Sequence, residues 1–450
     1  MIILYLKSAF KFIIILKNYL NNLILRQLLF FVIAFFISLI AVAQDKVTFD
    51  YFVNKAKENA PVLRENDNLL KIGEIQSSII TAQNKAFQVN ATSELLVAPY
   101  FNNNGKVIDI TTTPSANAFG YDVGITNGGL YSAQINMTKN LFNQAVTDNL
   151  LFQNKIQNNT ITLSSEEITH NIVKNITDAY ILAYQLQLQE EFTKEILKDL
   201  EKRLQVVELL VKRAVLMESD YLLLQLDIEG KKLELQQIQN NLKTSINQLY
   251  SLSGTTFGTI ETLEAPNFNN GTKSSRFFYE KKFKNDSLQI VANQRVFENQ
   301  YKPQVTAYAN TGLNAVEIPN IHQRFGASAG LRLTIPIYDG KQRKYNAQQS
   351  LLKEESLEFY RDNSKIQVDN NIKSVEQQIQ ALNDNMMLLD KQLKKQQNIL
   401  EIYKGKLVQG QISIVDYLNV IQNYKLNSYT KLQMQTNYWL LQSQYNFINW

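Results

Sequence analysis

Two aspartates, Asp220 and Asp416, have the sequence context that most suggests chemistry. Each is followed by Tyr-Leu, and they lie 196 positions apart. Carboxylates gathered around a constriction favour cations and can form a cation-controlled gate. An aspartate in this context can instead be the N-cap of the helix that follows it. The residues alone leave both roles open, and the two roles are compatible.

Other chemistry has little support in the sequence. There are no cysteines, and the two histidines, His170 and His322, are too few and too far apart in sequence for a metal site. No nucleophile elbow, phosphate-binding loop or zinc-protease motif occurs. The sequence therefore predicts no cofactor, no metal and no enzymatic activity, and it places both histidines at the surface.

Few, long elements must position the two aspartates. The 450 residues include only 16 glycines and 7 prolines, so the chain is poor in turns. Residues 143–211 contain neither, and a helix of that length would extend about 100 Å. A globular domain is not that wide, so the fold must be elongated.

The first 43 residues resemble a secretory signal. They contain four basic residues and no acid, then an apolar run from Leu28 to Ile40, then the small residues Ala41-Val42-Ala43. An amino-terminal membrane anchor is the alternative, although the apolar run is shorter than the roughly 20 residues that a spanning helix needs. Without this segment the formal net charge falls from +5 to +1. Nothing in the remaining chain then favours a nucleic-acid partner.

The chain contains an internal repeat. Residues 131–149 (YSAQINMTKNLFNQAVTDN) and 327–347 (ASAGLRLTIPIYDGKQRKYNA) share a layout in which an alternating segment runs directly into a long helical one. Phe142 precedes Asp220 by 78 residues, and Tyr338 precedes Asp416 by the same distance. Equal spacings of this kind indicate a structural duplication.

The pattern divides the chain into two similar halves. Residues 44–253 form the first repeat, with strands at about 88–97 and 131–138, a long loop at 98–130, and a helix hairpin over 143–252. After a linker at 254–275, residues 276–450 form the second repeat, with strands at about 303–310 and 328–335 and a hairpin over 339–450. Each predicted strand alternates between apolar and polar residues.

Strands of about ten residues with one apolar face match outer-membrane barrel strands. An unpaired strand edge is not tolerated in lipid, and four strands cannot enclose a channel, so we expect three copies to form a twelve-stranded barrel. A soluble sheet covered by helices is the alternative. In the barrel, Pro336 and Asn140 mark the junction where strand becomes helix. Arg332 would face the lumen and Lys139 would lie at the junction, where each either tunes ion preference or is a solvated wall residue.

Taken over most of its length, the sequence resembles a known family. Three features resemble the TolC-like outer membrane efflux proteins, or outer membrane factors, over residues 44–450. They are the two units in which a strand, an [LI]-[FY]-[ND] motif and a long helix follow one another, the segment ENAPVLREN and the segment GQISIVDYLNVIQNY. The resemblance implies a mainly α fold with a membrane β-barrel part. It implies a homotrimer whose barrel continues into a periplasmic α-helical barrel that tapers to a gate.

The resemblance also assigns residues to the gate. Gly410 and Asp416 match the family's tip glycine and pore aspartate, and Ser219 and Asp220 match a Thr-Asp pair of the other hairpin. Asn419 stands in place of a second aspartate. Leu407 and Ile412 stand where the best-known branch has a tyrosine and an arginine that lock the gate, so the gating details are expected to differ.

The implied function is a passive exit duct in the outer membrane of a Gram-negative bacterium, within a tripartite efflux or type I secretion system. Its partners would be outer membrane lipid, a periplasmic adaptor (membrane fusion protein) and an inner-membrane pump of RND or ABC type. A structural or adhesive coiled-coil protein of the cell surface is the alternative. It would explain the long helices but not the alternating strands or the repeat.

Overall fold

A computed structural model describes residues 48–121, 131–257, 262–266, 276–316 and 320–450. The predicted signal at 1–43 lies outside the described residues. The helices are α1 Phe49–Asn59, α2 Pro61–Lys85, α3 Gln144–Lys212, α4 Glu218–Leu252, α5 Arg276–Glu298, α6 Gln342–Val408 and α7 Ile414–Ile448. The strands are β1 Gln88–Leu95, β2 Tyr100–Asn103, β3 Lys106–Asp109, β4 Tyr131–Leu141, β5 Gln304–Ala315 and β6 Phe325–Thr334.

Four strands form one antiparallel sheet in the order β1-β4-β5-β6. Direct partners include Asn90 with Asn136, Asn136 with Asn310, and Asn310 with Ser328. Because directly paired residues share a face, every even-numbered strand residue lies on one side and every odd-numbered one on the other. The even side is almost entirely polar, with asparagine, glutamine, serine, threonine and glycine prominent.

The odd side of the sheet is predominantly apolar and open. Val89, Ile135, Leu331 and Leu333 are all more than half exposed there. Within the described chain, β1 and β6 each pair with a single strand, so both outer edges of the sheet are free. The sheet therefore has an uncovered apolar face and two unsatisfied edges.

The predicted loop at 98–130 is wrong in part, because it contains the hairpin of β2 and β3. Its organising residue is Asn103, which is buried. Asn103 donates from Nδ2 to Asp109 Oδ2 at 2.7 Å, and its Oδ1 accepts from the Ser115 amide at 2.8 Å. This side-chain network stabilises a turn that hydrophobic alternation does not reveal. Residues 122–130 lie outside the described chain.

The long helices form two antiparallel hairpins, α3 with α4 and α6 with α7. Helices α3 and α6 have 69 and 67 residues, which corresponds to about 100 Å each. The sequence favours helices of this length because glycine is sparse and proline is absent from their interiors. The short helices begin where the residues dictate, since Thr48 Oγ1 caps α1 and Pro61 is the first residue of α2.

Helix α3 is the centre of the helical part, because it packs against α2 and α5 near the sheet and against α4 and α7 further away. One core lies midway along it, where α1 joins α3 and α4 around Phe52, Tyr180 and Leu249. A second core lies near the hairpin turns and includes Leu200, Leu407 and Tyr417.

The mainly α fold with a small alternating sheet is confirmed. Closure of a barrel is a property of an assembly and stays a prediction, as do the boundaries of the two repeats. In the described ranges no helix combines the length and hydropathy that a membrane crossing requires.

Candidate functional site

The candidate gate comprises the two hairpin turns that follow α3 and α6. Ala214 and Gly410, 196 positions apart, both have positive φ, at 58° and 67°. A Cβ on Gly410 would lie 2.6 Å from Val215 Cγ1, so the two turns are in contact at this point. Gly410 must therefore be glycine, because a side chain would be strained at this φ and would collide with Val215. Ala214 adopts the same conformation with a methyl group.

Asp220 and Asp416 lie at corresponding positions, in the first turns of α4 and α7. The predicted capping role at the N-cap itself is wrong by three residues. The N-caps are Met217 and Ser413, and the aspartates occupy the third helical position. Asp220 Oδ2 accepts from the Met217 amide at 3.0 Å, and Asp416 Oδ2 accepts from the Ser413 hydroxyl at 2.8 Å. Both carboxylates thus complete a cap from inside the helix, where negative charge also complements the helix dipole.

The remaining gate candidates surround these caps. Ser219 and Asn419 are exposed, as is Asp416, while Asp220 is half-buried. Asn419 lies one helical turn beyond Asp416 on the same face of α7. The geometry leaves the Asp416 carboxylate open to solvent while its cap is intact.

Leu407 and Ile412 pack into the apolar core beneath the turns, and Leu407 is only 1% exposed. A polar cluster accompanies that core. The buried Tyr417 hydroxyl donates to Asp199 Oδ2 at 3.0 Å, and Lys404 Nζ and Arg203 Nη2 each lie 3.5 Å from Asp199 Oδ1. Burial raises the pKa of the Tyr417 phenol, so it remains a donor. This cluster joins α3, α6 and α7.

A second polar cluster joins α4 to α7 further from the turns. The Glu234 carboxylate accepts from Lys425, from Lys231 at 3.2 Å and from the Tyr429 hydroxyl at 2.8 Å. Burial alone would raise the pKa of the Glu234 carboxyl, but the bonds from Lys425 and Tyr429 and the two lysine charges hold it below its ordinary value. Tyr429 also contacts the Thr193 hydroxyl of α3 at 2.6 Å.

Sequence reasoning missed both clusters. Their members are far apart in sequence, and a charged residue in a helical pattern normally indicates a solvated face. The one sequence feature that could have pointed to a cluster is Tyr417, which follows Asp416 just as Tyr221 follows Asp220.

The sheet meets the helices at two equivalent junctions. After β6, Pro336 lies in the link, and Asp339 closes it by accepting from the Lys341 and Arg343 amides at 2.8 and 2.7 Å. After β4, Asn143 donates to the Asn84 carbonyl at 2.6 Å. Ile337, Tyr338 and Phe142 are 95%, 83% and 91% exposed at these junctions.

The predicted junction and wall residues fall on different faces of the sheet. Asn140 and Arg332 lie on the polar face in one row, where Thr306 donates to Asn140 Oδ1 at 3.0 Å. Lys139 lies on the apolar face, with its ammonium 4.5 Å from the centre of the Phe87 ring. Lys139 thus lies on the opposite face of the sheet from Arg332.

His170 corrects another prediction, since it is half-buried rather than a surface residue. Its ring stacks on Phe447 and Trp450 at centroid distances of 4.6 and 4.1 Å, and Nε2 donates to the Phe447 carbonyl at 2.8 Å. Burial lowers the pKa of the His170 imidazole, against the opposing effect of that hydrogen bond. His322 is exposed, and in the described residues no group of potential metal ligands clusters.

The fold defined by these features is that of the TolC-like outer membrane channels. Among the solved structures similar to this chain are CusC, described in terms of folding and transmembrane channel formation, the outer membrane protein VceC of Vibrio cholerae and the outer membrane channel CmeC of Campylobacter jejuni. Their TM-scores are 0.66, 0.66 and 0.65, with 13%, 14% and 12% sequence identity. The alignments cover 89% of this chain and 92%, 96% and 85% of those chains. A scan against protein families and a search of curated proteins find no match.

Proposed function

We propose that the chain is one subunit of a homotrimeric duct in the outer membrane, through which solutes leave the cell passively. The observation that carries this proposal is the four-stranded sheet. As far as the structure describes the chain, this sheet has one polar face, one uncovered apolar face and two free edges, and it continues into helices of about 100 Å.

The apolar face and free edges are explained together by a closed barrel in lipid. Lipid covers the apolar side, and β6 of one copy pairs with β1 of the next, which removes every edge. Three copies supply twelve strands, an even number as in bacterial outer-membrane barrels. A surface coiled-coil protein would need neither the alternation nor the open edges.

The helical part supplies the second half of the duct and its partners. Helix hairpins of this length reach across the periplasm toward an inner-membrane pump of RND or ABC type and its adaptor. The pump would do the work, so we propose that this chain catalyses no reaction. The turns, with Asp416, Asp220, Ser219, Asn419 and Gly410, would form the gate.

The test is to express the full chain in a Gram-negative host and to separate the two membranes. We expect it in the outer membrane fraction, migrating as a trimer when unheated and as a 51.8 kDa or slightly smaller band after boiling. A heat-independent monomer in the soluble fraction would overturn the proposal.

A further inference from the structure

We propose that Arg332 makes the helix-side end of the barrel selective for anions. This inference rests on the proposed function, because the polar face of the sheet must line the duct for Arg332 to meet a solute.

Charge is scarce on the four strands of the large sheet. As the structure describes them, these strands carry three charged residues, Glu94, Lys139 and Arg332. The register places Lys139 on the apolar face and the other two on the polar face. The polar face therefore has one positive and one negative charge per subunit, against a neutral background of amides and hydroxyls.

These two charges lie at opposite ends of the sheet. Glu94 pairs with Ser132, whereas Arg332 lies in the row of Thr306 and Asn140. The two rows are eight positions apart along β4, which corresponds to about 27 Å. The Debye length at physiological ionic strength is only about 8 Å, so Glu94 does not neutralise the field of Arg332.

The arginine is held against the sheet wall by an aromatic ring. Tyr308 pairs directly with Gly330, and a Cβ on Gly330 would lie 2.6 Å from the Tyr308 hydroxyl oxygen. The glycine therefore lets the phenol ring lie over β6, where the guanidinium carbon of Arg332 is 5.6 Å from the ring centre. Arg332 forms no salt bridge with a carboxylate of the described residues.

The cation–π contact orients the guanidinium but leaves its charge uncompensated. An arginine in this state presents planar donors suited to carboxylates and phosphates. Three copies would form a ring of such groups just above the helices. Solutes bearing carboxylate or phosphate groups would thus be favoured at this level of the duct.

The test is the reversal potential across planar bilayers under a tenfold KCl gradient, for the wild type, R332Q and the control K139Q. The control removes the same charge at nearly the same height but on the apolar face. We expect the ratio of chloride to potassium permeability to fall at least about twofold in R332Q and to stay unchanged in K139Q. E94Q should raise that ratio.

A second measurement varies the salt concentration. The difference in permeability ratio between the wild type and R332Q should be larger near 0.01 M than near 1 M salt, because the Debye length falls from about 30 to about 3 Å. An unchanged ratio in a conducting R332Q channel, or an equal change in K139Q, would overturn the inference while leaving the duct intact. Absence of any conductance from the wild type would instead overturn the proposed function and this inference with it.

Discussion

Tyr417 is the residue through which α3 and α7 are joined beneath the turns. Its hydroxyl is the hydrogen-bond donor to Asp199, which also faces Lys404 and Arg203. Its counterpart Tyr221, 196 positions earlier, is half-buried and forms no side-chain hydrogen bond within the described chain. The duplicated residue has therefore acquired a role in one repeat that it lacks in the other.

We expect Tyr417→Phe to destabilise the packing of α3 on α7 by about 1 kcal/mol, because a buried hydrogen bond is lost. Hydrogen exchange of the amides in 195–210 and 414–424 would accelerate about fivefold, which is the same free energy expressed as a rate. Tyr221→Phe is the matched control and should have little effect. Equal acceleration in the two variants would show that the Asp199 bond contributes nothing.

Asp416 combines a capping role with an exposed negative charge, and the two can be separated. Asp416→Ala removes both, whereas Ser413→Ala removes the cap and costs about 1 kcal/mol while keeping the charge. If three carboxylates line the gate, Asp416→Ala should weaken the block of single-channel current by divalent cations and Ser413→Ala should not. The same block in all three proteins would leave Asp416 with the capping role alone.

At the level of elements, Glu234 holds α4 to α7. Its pKa is depressed in the fold, so the stability it contributes is present above its unfolded pKa of about 4.3 and is lost as the pH falls through the folded pKa. Glu234→Gln leaves Lys425 and Lys231 without their carboxylate and should cost on the order of 3 kcal/mol at pH 7.

Hydrogen exchange in α4 and α7 measures that effect. The difference between the wild type and Glu234→Gln should be large at pH 7 and should shrink below about pH 4. Lys232→Gln is a control, because its partner Glu201 forms an exposed pair with a small contribution. A difference that stays constant across this pH range would contradict the assignment.

The faces of the sheet make a further prediction at the same scale. Leu333 is 61% exposed on the apolar face, next to Thr334 on the polar face. Leu333→Arg would place a charge against lipid at a cost of roughly 2 to 4 kcal/mol near the midplane and less toward the interface, so assembly of the heat-sensitive trimer should fall. Thr334→Arg should assemble normally. Normal assembly of Leu333→Arg would reverse our assignment of the lipid-facing side.

The strands and the long helices could be predicted from the sequence because each depends on a pattern within one continuous stretch of residues. Alternation located the strands near Val89, Ile135 and Leu331, and the absence of glycine and proline located α3 and α6. Strand ends were less accurate, since β5 reaches Ala315 and β6 begins at Phe325. Pairing with the neighbouring strand continues through these additional residues.

Features that depend on distant residues were not predictable in the same way. The stack of His170 on Trp450 and the Glu234 cluster bring together positions more than 190 residues apart. The N-caps at Met217 and Ser413 were misplaced because Asp416 at the third helical position resembles a capping residue in type. Backbone geometry, rather than residue type, decides between the two.

At the scale of the whole molecule, the sheet is the part that a single chain leaves unsatisfied. Over the residues that the structure describes, it has two free edges and its apolar face is uncovered. A single pattern of alternation accounts for both faces, and in the proposed trimer a ring of three copies would satisfy both edges. The lumen of that ring would then be the polar face, which continues toward the helices and their turns.

Single-channel conductance of the purified protein in planar bilayers tests this account most directly. We predict discrete current steps from a trimer, small while the turns remain closed and larger when a variant such as Asp416→Ala loosens them. A folded protein that inserts and gives no steps, or that remains monomeric in detergent without conductance, would contradict the claim that these strands form a membrane duct.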